Sequence, residues 1–460
     1  MGPRTGPAPF HTDGSMFSLD AHHRVPRNLW RGLFLCAAVL VSQPAGARAQ
    51  FPEFPTLQGA GAEYISRSGF FQFLLSGRLD IEGVHISNDW VAPTEGLGAC
   101  DACHVDVARE MQQGDGVLET HRLRVFADIF LGDHLYSLVE VRADRGRETF
   151  GGATQGRVEQ AFVRVVTDSG TEGVQLGRFA SPFGSYAPRH LSDVDPFLNA
   201  PLAYDYRTVM NRWRVPGGEA GFLTWKDAPG DIDLPGAPPV WEVPYQWGAM
   251  AFGRLGPIEL RGAAMNSAPS SHPNAWALSF DGFERPSWIL GARWKASASF
   301  EVGASYDRGP WMAPEVTRVT VSPPDKPAVP FPENWRDFDQ ELVSADIAFA
   351  RGPVMIRAEA IRNRWEVPNV PGMPSEFSGN LEVQSDIAAG FFVAGRGGFI
   401  DFRPLDGGEE WDHDVQRYEG AVGYRLSRNV GLLFSGYRQI QSGAPEGDTD
   451  FIGLRAWWAF

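Results

Sequence analysis

Between Phe70 and Phe460 the chain runs in short stretches of alternating apolar and polar residues, divided by Gly, Pro, Asp and Asn. Period two is the signature of a strand with one face in an apolar medium and the other in a polar one. In the closing stretch Ile452, Leu454, Ala456, Trp458 and Phe460 share a side, with Gly453 and Arg455 opposite. His121–Leu131 sets Arg122, Arg124 and Asp128 against Leu123, Val125, Ala127, Ile129 and Leu131; after Gly132 and Asp133, Leu135–Arg145 sets Glu140, Arg142 and Asp144 against Val139, Val141 and Ala143. Arg157–Thr167 and Thr171–Arg178 repeat the hairpin around Asp168, Ser169 and Gly170. Further strands are expected at Phe70–Ile86, Trp247–Phe252, Ile258–Met265, Ala275–Phe280, Trp288–Phe300, Val302–Asp307, Asp339–Ala350, Val354–Trp365, Phe377–Ala389, Phe391–Phe402, Tyr418–Leu426 and Val430–Phe434.

The polar faces carry charges of both signs and have to be wet, so the apolar faces have to meet something other than water. Long strands joined alternately by tight turns and long loops satisfy this as an all-β fold, a transmembrane antiparallel β-barrel of about sixteen strands. The stretch from 200 to 250 leaves fourteen or eighteen as alternatives. Pairing the last strand with the first removes the open edge that hydrocarbon would not tolerate. Arg122, Arg124, Asp128, Glu140, Arg142, Asp144, Arg164 and Arg178 then line a water-filled lumen, and Trp and Tyr near strand ends sit at the lipid interfaces. The rival is an exported soluble β-domain.

Arg24, Arg27 and Arg31 precede the apolar run Leu33–Val41, and Ala47, Arg48 and Ala49 form a small-x-small cleavage site. Residues 1–49 read as a secretory signal peptide, their apolar run being too short to span a bilayer. Residues 50–69 read as a periplasmic segment and 70–460 as the barrel, placed in the outer membrane of a bacterial cell with its lipid as partner. The formal charge of −15, made more acidic by loss of the leader's five arginines and two aspartates, argues against nucleic acid. No nucleophile with a base, carboxylate dyad or nucleotide loop stands out, so no enzyme is expected.

The insert at 87–120, after the first strand, contains Cys100, Asp101, Ala102, Cys103 and His104. This is the spacing of covalent c-type haem attachment, two thioethers with His104 as axial ligand to the iron. Met111 is the candidate for the second axial position, with His85 and His121 as alternatives. A local disulfide between the cysteines, or a metal site that lacks a nearby fourth ligand, competes with haem. On the haem reading the barrel takes part in electron transfer with a partner cytochrome.

A strand-rich exported chain that ends on an aromatic resembles bacterial outer-membrane barrels, in which the terminal aromatic strand serves as an assembly signal. Leu176, Gly177, Arg178, Phe179, Ala180, Ser181, Pro182, Phe183 and Gly184 resemble a stretch of the phosphate-selective porin family. The resemblance implies passive diffusion of small hydrophilic or ionic solutes and a homotrimer. It also places Arg178 in the lumen and makes Ser181 to about Asn211 a loop folded inward to narrow it. The lysine ladder tied to phosphate selectivity is absent, arginines interleaved with acids standing in its place, so phosphate selectivity is not expected.

Overall fold

The computed structural model describes residues 61–88, 118–145, 155–212, 214–226, 236–278, 280–313, 318–320, 334–405, 408–443 and 448–460. Sixteen strands close into an antiparallel barrel: β1 (Phe71–Asn88), β2 (Leu118–Leu131), β3 (Leu135–Arg145), β4 (Gln155–Val166), β5 (Gly173–Ala180), β6 (Tyr245–Leu255), β7 (Ile258–Met265) and β8 (Ser287–Ser297), followed by β9 (Phe300–Pro310), β10 (Asp339–Arg351), β11 (Val354–Trp365), β12 (Ser375–Ala388), β13 (Phe391–Phe402), β14 (Val415–Arg425), β15 (Val430–Gln441) and β16 (Thr449–Ala459). Each pairs with its successor, and β16 closes on β1 from Thr449 opposite Asn88 to Ala459 opposite Arg78. Below Arg78, β16 has ended, and the short strand Ala62–Ile65 covers the exposed edge at Gln72–Leu75. An edge left open there would be a template for aberrant pairing.

Connections alternate around the barrel between tight turns and long loops. Turns such as those at Gly132 and Gly352 place glycine at φ 59°, a conformation that other residues adopt only at a cost. In membrane barrels the tight turns are periplasmic and the long loops external. β1 therefore runs outward and ends, and β2 begins, at the external end.

Alternation decides which side chains face out. Along β16, Ile452, Leu454 and Trp458 are exposed while Phe451, Gly453, Arg455 and Trp457 are buried. Leu123, Val141, Val163, Leu176, Leu290, Val343, Ile347, Val422 and Leu432 continue the exposed apolar belt on other strands. Exposed aromatics rim it at the short-turn end (Trp294, Phe391, Tyr424, Trp458) and at the long-loop end (Trp288, Phe377, Phe399). A belt of this kind would be unstable against water and is stable against lipid, with aromatic rings at the two interfaces. The barrel is therefore a membrane protein of the outer-membrane type.

At the external end, parts of several loops pack into a cap. Trp411 lies 4.7 Å from Phe402 and 5.5 Å from Trp365 between ring centroids, with Phe222, Trp311 and Val215 in the same buried cluster. The expected strand at Ala275–Phe280 is not one. The segment is part of the loop between β7 and β8, with 3-10 turns at Pro273–Trp276 and Phe280–Phe283. Of its alternating apolar residues Trp276 packs beside Val243 and Tyr245, whereas Leu278 and Phe280 are exposed.

Candidate functional site

The inward faces of β2–β5 carry a network of paired charges. Arg124 Nη1 donates to Glu140 Oε1 at 3.1 Å, and Gln160 Nε2 to Glu140 Oε2 at 2.7 Å. Arg142 donates to Asp144 and, at 3.5 Å, to Glu159, which also accepts from Arg157 at 2.6 Å. Arg122 reaches Asp144 at 3.7 Å, and Tyr136 donates to Asp128 at 2.6 Å. Arg164 places Nε and Nη2 on Gln175 Oε1 at 2.9 and 2.6 Å, and half-buried Arg178 lies within electrostatic reach of Glu159 and Tyr245. Seven of the eight expected lining residues are thus joined by hydrogen bonds or ion pairs to residues on the same or adjacent strands, while Arg178 alternates in phase with exposed Val174 and Leu176 and stands in register with Ala161 and Trp247.

Between β5 and β6 the chain makes a long excursion, and its first part is folded into the lumen. Pro182 and Phe183 leave the wall, and Gly184 turns the chain at φ 73°; a Cβ there would lie 2.2 Å from the Tyr204 hydroxyl. Gly184 N donates to Ser305 Oγ on β9 at 2.9 Å, Ser185 N donates to Glu359 on β11 at 2.8 Å, and Tyr204 donates to the same carboxylate at 3.0 Å. Farther along, Arg189 pairs with Glu382 on β12 at 2.9 Å, Ser192 donates to Asp80 on β1 at 2.6 Å, and Asp193 pairs with Arg78. His190 donates Nδ1–H to the Ala187 carbonyl, which leaves Nε2 to accept from Arg124 and Tyr245 at 2.6 and 3.0 Å.

Three wall arginines grip the loop's main chain. Arg396 on β13 donates to the carbonyls of Asn199 and Ala200 at 2.6 and 3.1 Å while paired with Glu419 at 2.5 Å. Arg455 on β16 donates to Phe197 and Leu198 carbonyls at 3.2 and 3.3 Å and pairs with Glu82 at 2.7 Å. Arg417 on β14 pairs with Asp205 at 2.6 Å and reaches the Ala200 carbonyl at 3.4 Å. Charge-assisted bonds to main-chain carbonyls fix the loop's path and not merely its side chains.

The loop is thereby held by ion pairs and hydrogen bonds mainly against β1 and β11–β16, with further bonds to β2, β6 and β9 and apolar packing on β4, β6–β8 and β10. On the opposite side a cavity of about 270 Å³ remains between loop residues such as Ser185 and Pro188 and the inner faces of β4 and β6–β11, in the short-turn half of the barrel. Arg164, Arg254, Arg261, Arg293 and Lys295 line it, together with Met250, Phe252, Glu259, Glu301 and Asp346. Apart from Arg164, the sequence reading missed its basic residues, although Arg293 and Lys295 stand two apart on β8 and Arg261 lies on the adjacent β7, a period-two signal of a shared face.

The barrel fold recurs in solved structures. OmpT, an outer membrane protein of Vibrio cholerae, superposes with a TM-score of 0.52 at 11% identity over 86% of this chain and 99% of that one. OmpF of Salmonella typhi, in complex with daunomycin, gives 0.52 at 10% identity over 87% and 100%. An anion-selective porin from Comamonas acidovorans gives 0.50 at 10% identity over 85% and 100%. The fold is that of the bacterial outer-membrane porins. No family model matches the chain and no curated protein matches it. With the lipid belt and aromatic rims described above, the fold places the chain in the bacterial outer membrane.

Cys100, Cys103, His104 and Met111 lie outside the described residues. His85 and His121 are described. Both are exposed on the outward side of the wall, His85 on β1 opposite Ile452 and His121 on β2 opposite Ile81. Neither points toward the lumen.

Proposed function

We propose that the chain is a porin-like channel for passive diffusion of small hydrophilic or ionic solutes, its passage narrowed by the loop that begins at Ser181. The observation that carries this reading is a loop held inside the barrel with charge-lined space beside it. Arg396, Arg417, Arg455 and Tyr204 fasten it to β11, β13, β14 and β16, Phe183, Tyr186 and Tyr204 pack it against β4, β6–β8 and β10, and charged side chains line the cavity that remains. Arg122, Arg124, Asp128, Glu140, Arg142, Asp144, Arg164 and Arg178 act in this reading as lining residues whose ordered charges set a field across the passage. Full-length protein purified from outer membranes and added to planar bilayers should give discrete conductance steps, with swelling of proteoliposomes in small sugars or amino acids. Absence of both would overturn the reading.

A second reading rests on the Cys100, Cys103 and His104 motif: the segment between β1 and β2 carries covalent haem c and exchanges electrons with a partner cytochrome. Haem staining and a reduced-minus-oxidised spectrum of protein made in a host that matures c-type cytochromes test it. A signal lost in Cys100→Ala and Cys103→Ala supports haem. Two cysteines found oxidised to each other, without haem, overturn it.

A further inference from the structure

The outward faces of β8–β11 form an apolar groove. Ala292 on β8 stands in register with Ala304 on β9, Ala304 with Ala345 on β10, and Ala345 with Ala360 on β11, so four small side chains make one continuous floor. The row on its long-loop side holds Leu290, Tyr306 and Val343, and the row on its short-turn side holds Trp294, Val302 and Ile347. Leu290, Val343, Trp294 and Ile347 are exposed and stand as walls above the alanines. The next floor position, Gly379 on β12, is covered by the Phe399 ring: a Cβ there would lie 2.8 Å from Phe399 Cε1, and the ring closes the groove at that end.

The groove has a direction. Barrel strands tilt about 35–45° from the axis, so a row of paired residues climbs as it crosses them. The row that contains Trp294, at the short-turn rim, leads through successive partners to Tyr418, Arg438 and Asp450 at the long-loop end, so rows climb outward from β8 to β16. From Ala292 to Ala360 the floor is about 14 Å long, three strand spacings, and rises about 9 Å, most of one leaflet of an apolar band about 25 Å tall. Two residues beyond Ala360, toward the outside, stands Arg362, exposed and in register with Val343 and Phe377 of the external rim. Other outward charges at this rim are paired, Arg364 with Glu341 at 2.6 Å, Arg308 with Asp339 at 2.9 Å and Arg403 with Asp401 at 2.8 Å. Arg362 makes no hydrogen bond, ion pair or ring contact among the described residues.

An apolar groove that climbs through one leaflet to an unpaired cation fits a molecule with a hydrocarbon tail and an anionic head. A phosphate accepts two parallel N–H bonds from a guanidinium, and an acyl chain laid over the alanines gains close contact with floor and walls. A second copy of the chain presenting this same face has no acid to offer Arg362, because Glu341 and Asp401 already have cations. We propose that the groove binds an acyl lipid with a phosphate headgroup, drawn from the external leaflet of the membrane. The site lies on the outer wall, and it stands whether or not the barrel conducts.

Native mass spectrometry of the full-length barrel in detergent tests this with three probes: dimyristoyl phosphatidate, dimyristoylglycerol with the same chains and no phosphate, and glycerol phosphate with the same head and no chains. Phosphatidate should be retained at least tenfold better than either. Arg362→Gln should lower its retention about tenfold, and so should Ala345→Leu, which fills the floor with an apolar side chain that lipid tolerates. Ala304→Leu supplies the floor test if Ala345→Leu fails to assemble, as judged by the heat-dependent mobility shift of folded barrels. Arg425→Gln, at the short-turn rim, should leave retention unchanged. Phosphatidate held no better than dimyristoylglycerol or glycerol phosphate, or equally by the assembled groove variants, or lost equally in Arg425→Gln, would overturn the proposal. A multimer that Ala345→Leu converts to a monomer, with phosphatidate retention unchanged, would assign the face to a second copy and overturn it as well.

Discussion

The two sides of the lumen use the same residue for different ends. On the side of β13, β14 and β16, Arg396, Arg417 and Arg455 are buried, paired with carboxylates and bonded to loop carbonyls. There arginine acts as a fastener, its planar fork satisfied in several directions at once. On the side of β4 and β6, Arg164 and Arg254 rest on neutral acceptors and border open space. Placement beside a carbonyl-rich loop or beside a cavity, and not residue type, separates the two environments.

The largest expected effect comes from breaking the fastened side. Arg396→Ala combined with Arg455→Ala would leave Glu419 and Glu82 buried without their main cations, at about 3–5 kcal/mol each, and would free the loop near Phe197 to Ala200. A lower thermal transition with larger and noisier conductance is the expected outcome; unchanged conductance in assembled protein would mean that these arginines do not hold the passage narrow. The outer surface should make no such distinction between sides. Leu454→Arg on β16 and Val343→Arg on β10 both enter the lipid belt and should each cost about 2–4 kcal/mol if at mid-membrane, measured by reversible unfolding from lipid vesicles.

A smaller effect is expected where the loop meets the edge of the open side. Tyr204→Phe removes the hydroxyl that donates to Glu359 and should cost about 1.5–3 kcal/mol, the range for a bond to a charged group. Its conductance change should fall below that of the double arginine variant.

The smallest effect concerns the external cap. Asp412, in the loop between β13 and β14, accepts from Val209 N at 2.8 Å, and burial pushes its carboxyl up to about 7. An acid with a raised folded-state pKa holds its proton more tightly folded than unfolded. Its contribution is therefore most favourable below the ordinary aspartate value and declines as pH rises through about 7. The hydrogen-exchange protection factor of the Val209 amide should fall over that window, and Asp412→Asn should flatten the dependence.

The wall was legible in the sequence because a barrel strand has one lipid face and one polar face, so period two maps directly onto position. Ile452 and Leu454, Leu123 and Val125, Glu140 and Arg142 fall on the sides that their alternation assigns. The inward loop was expected through the resemblance of Leu176–Gly184 to a porin-family stretch, and in the structure the chain turns at Gly184, where φ is 73°. Ala275–Phe280 misled because three apolar residues two apart imitate a wall strand, although only Trp276 is buried and Leu278 and Phe280 are exposed. The fasteners were not legible for a different reason. Arg455 could be assigned to the inner face, but its acceptors at Phe197 and Leu198 lie more than 250 positions away in the chain.

That separation bears on the order in which the molecule takes shape. Loop closure over such distances is slow because chain entropy is lost before any contact compensates it. The segment around Phe197 cannot settle until β13, β14 and β16 are in register, since the groups that receive it are supplied by those strands. On the channel reading, narrowing of the passage is accordingly expected late in maturation, since a barrel whose seam between β16 and β1 is still unzipped has not yet placed Arg455 where it receives the loop.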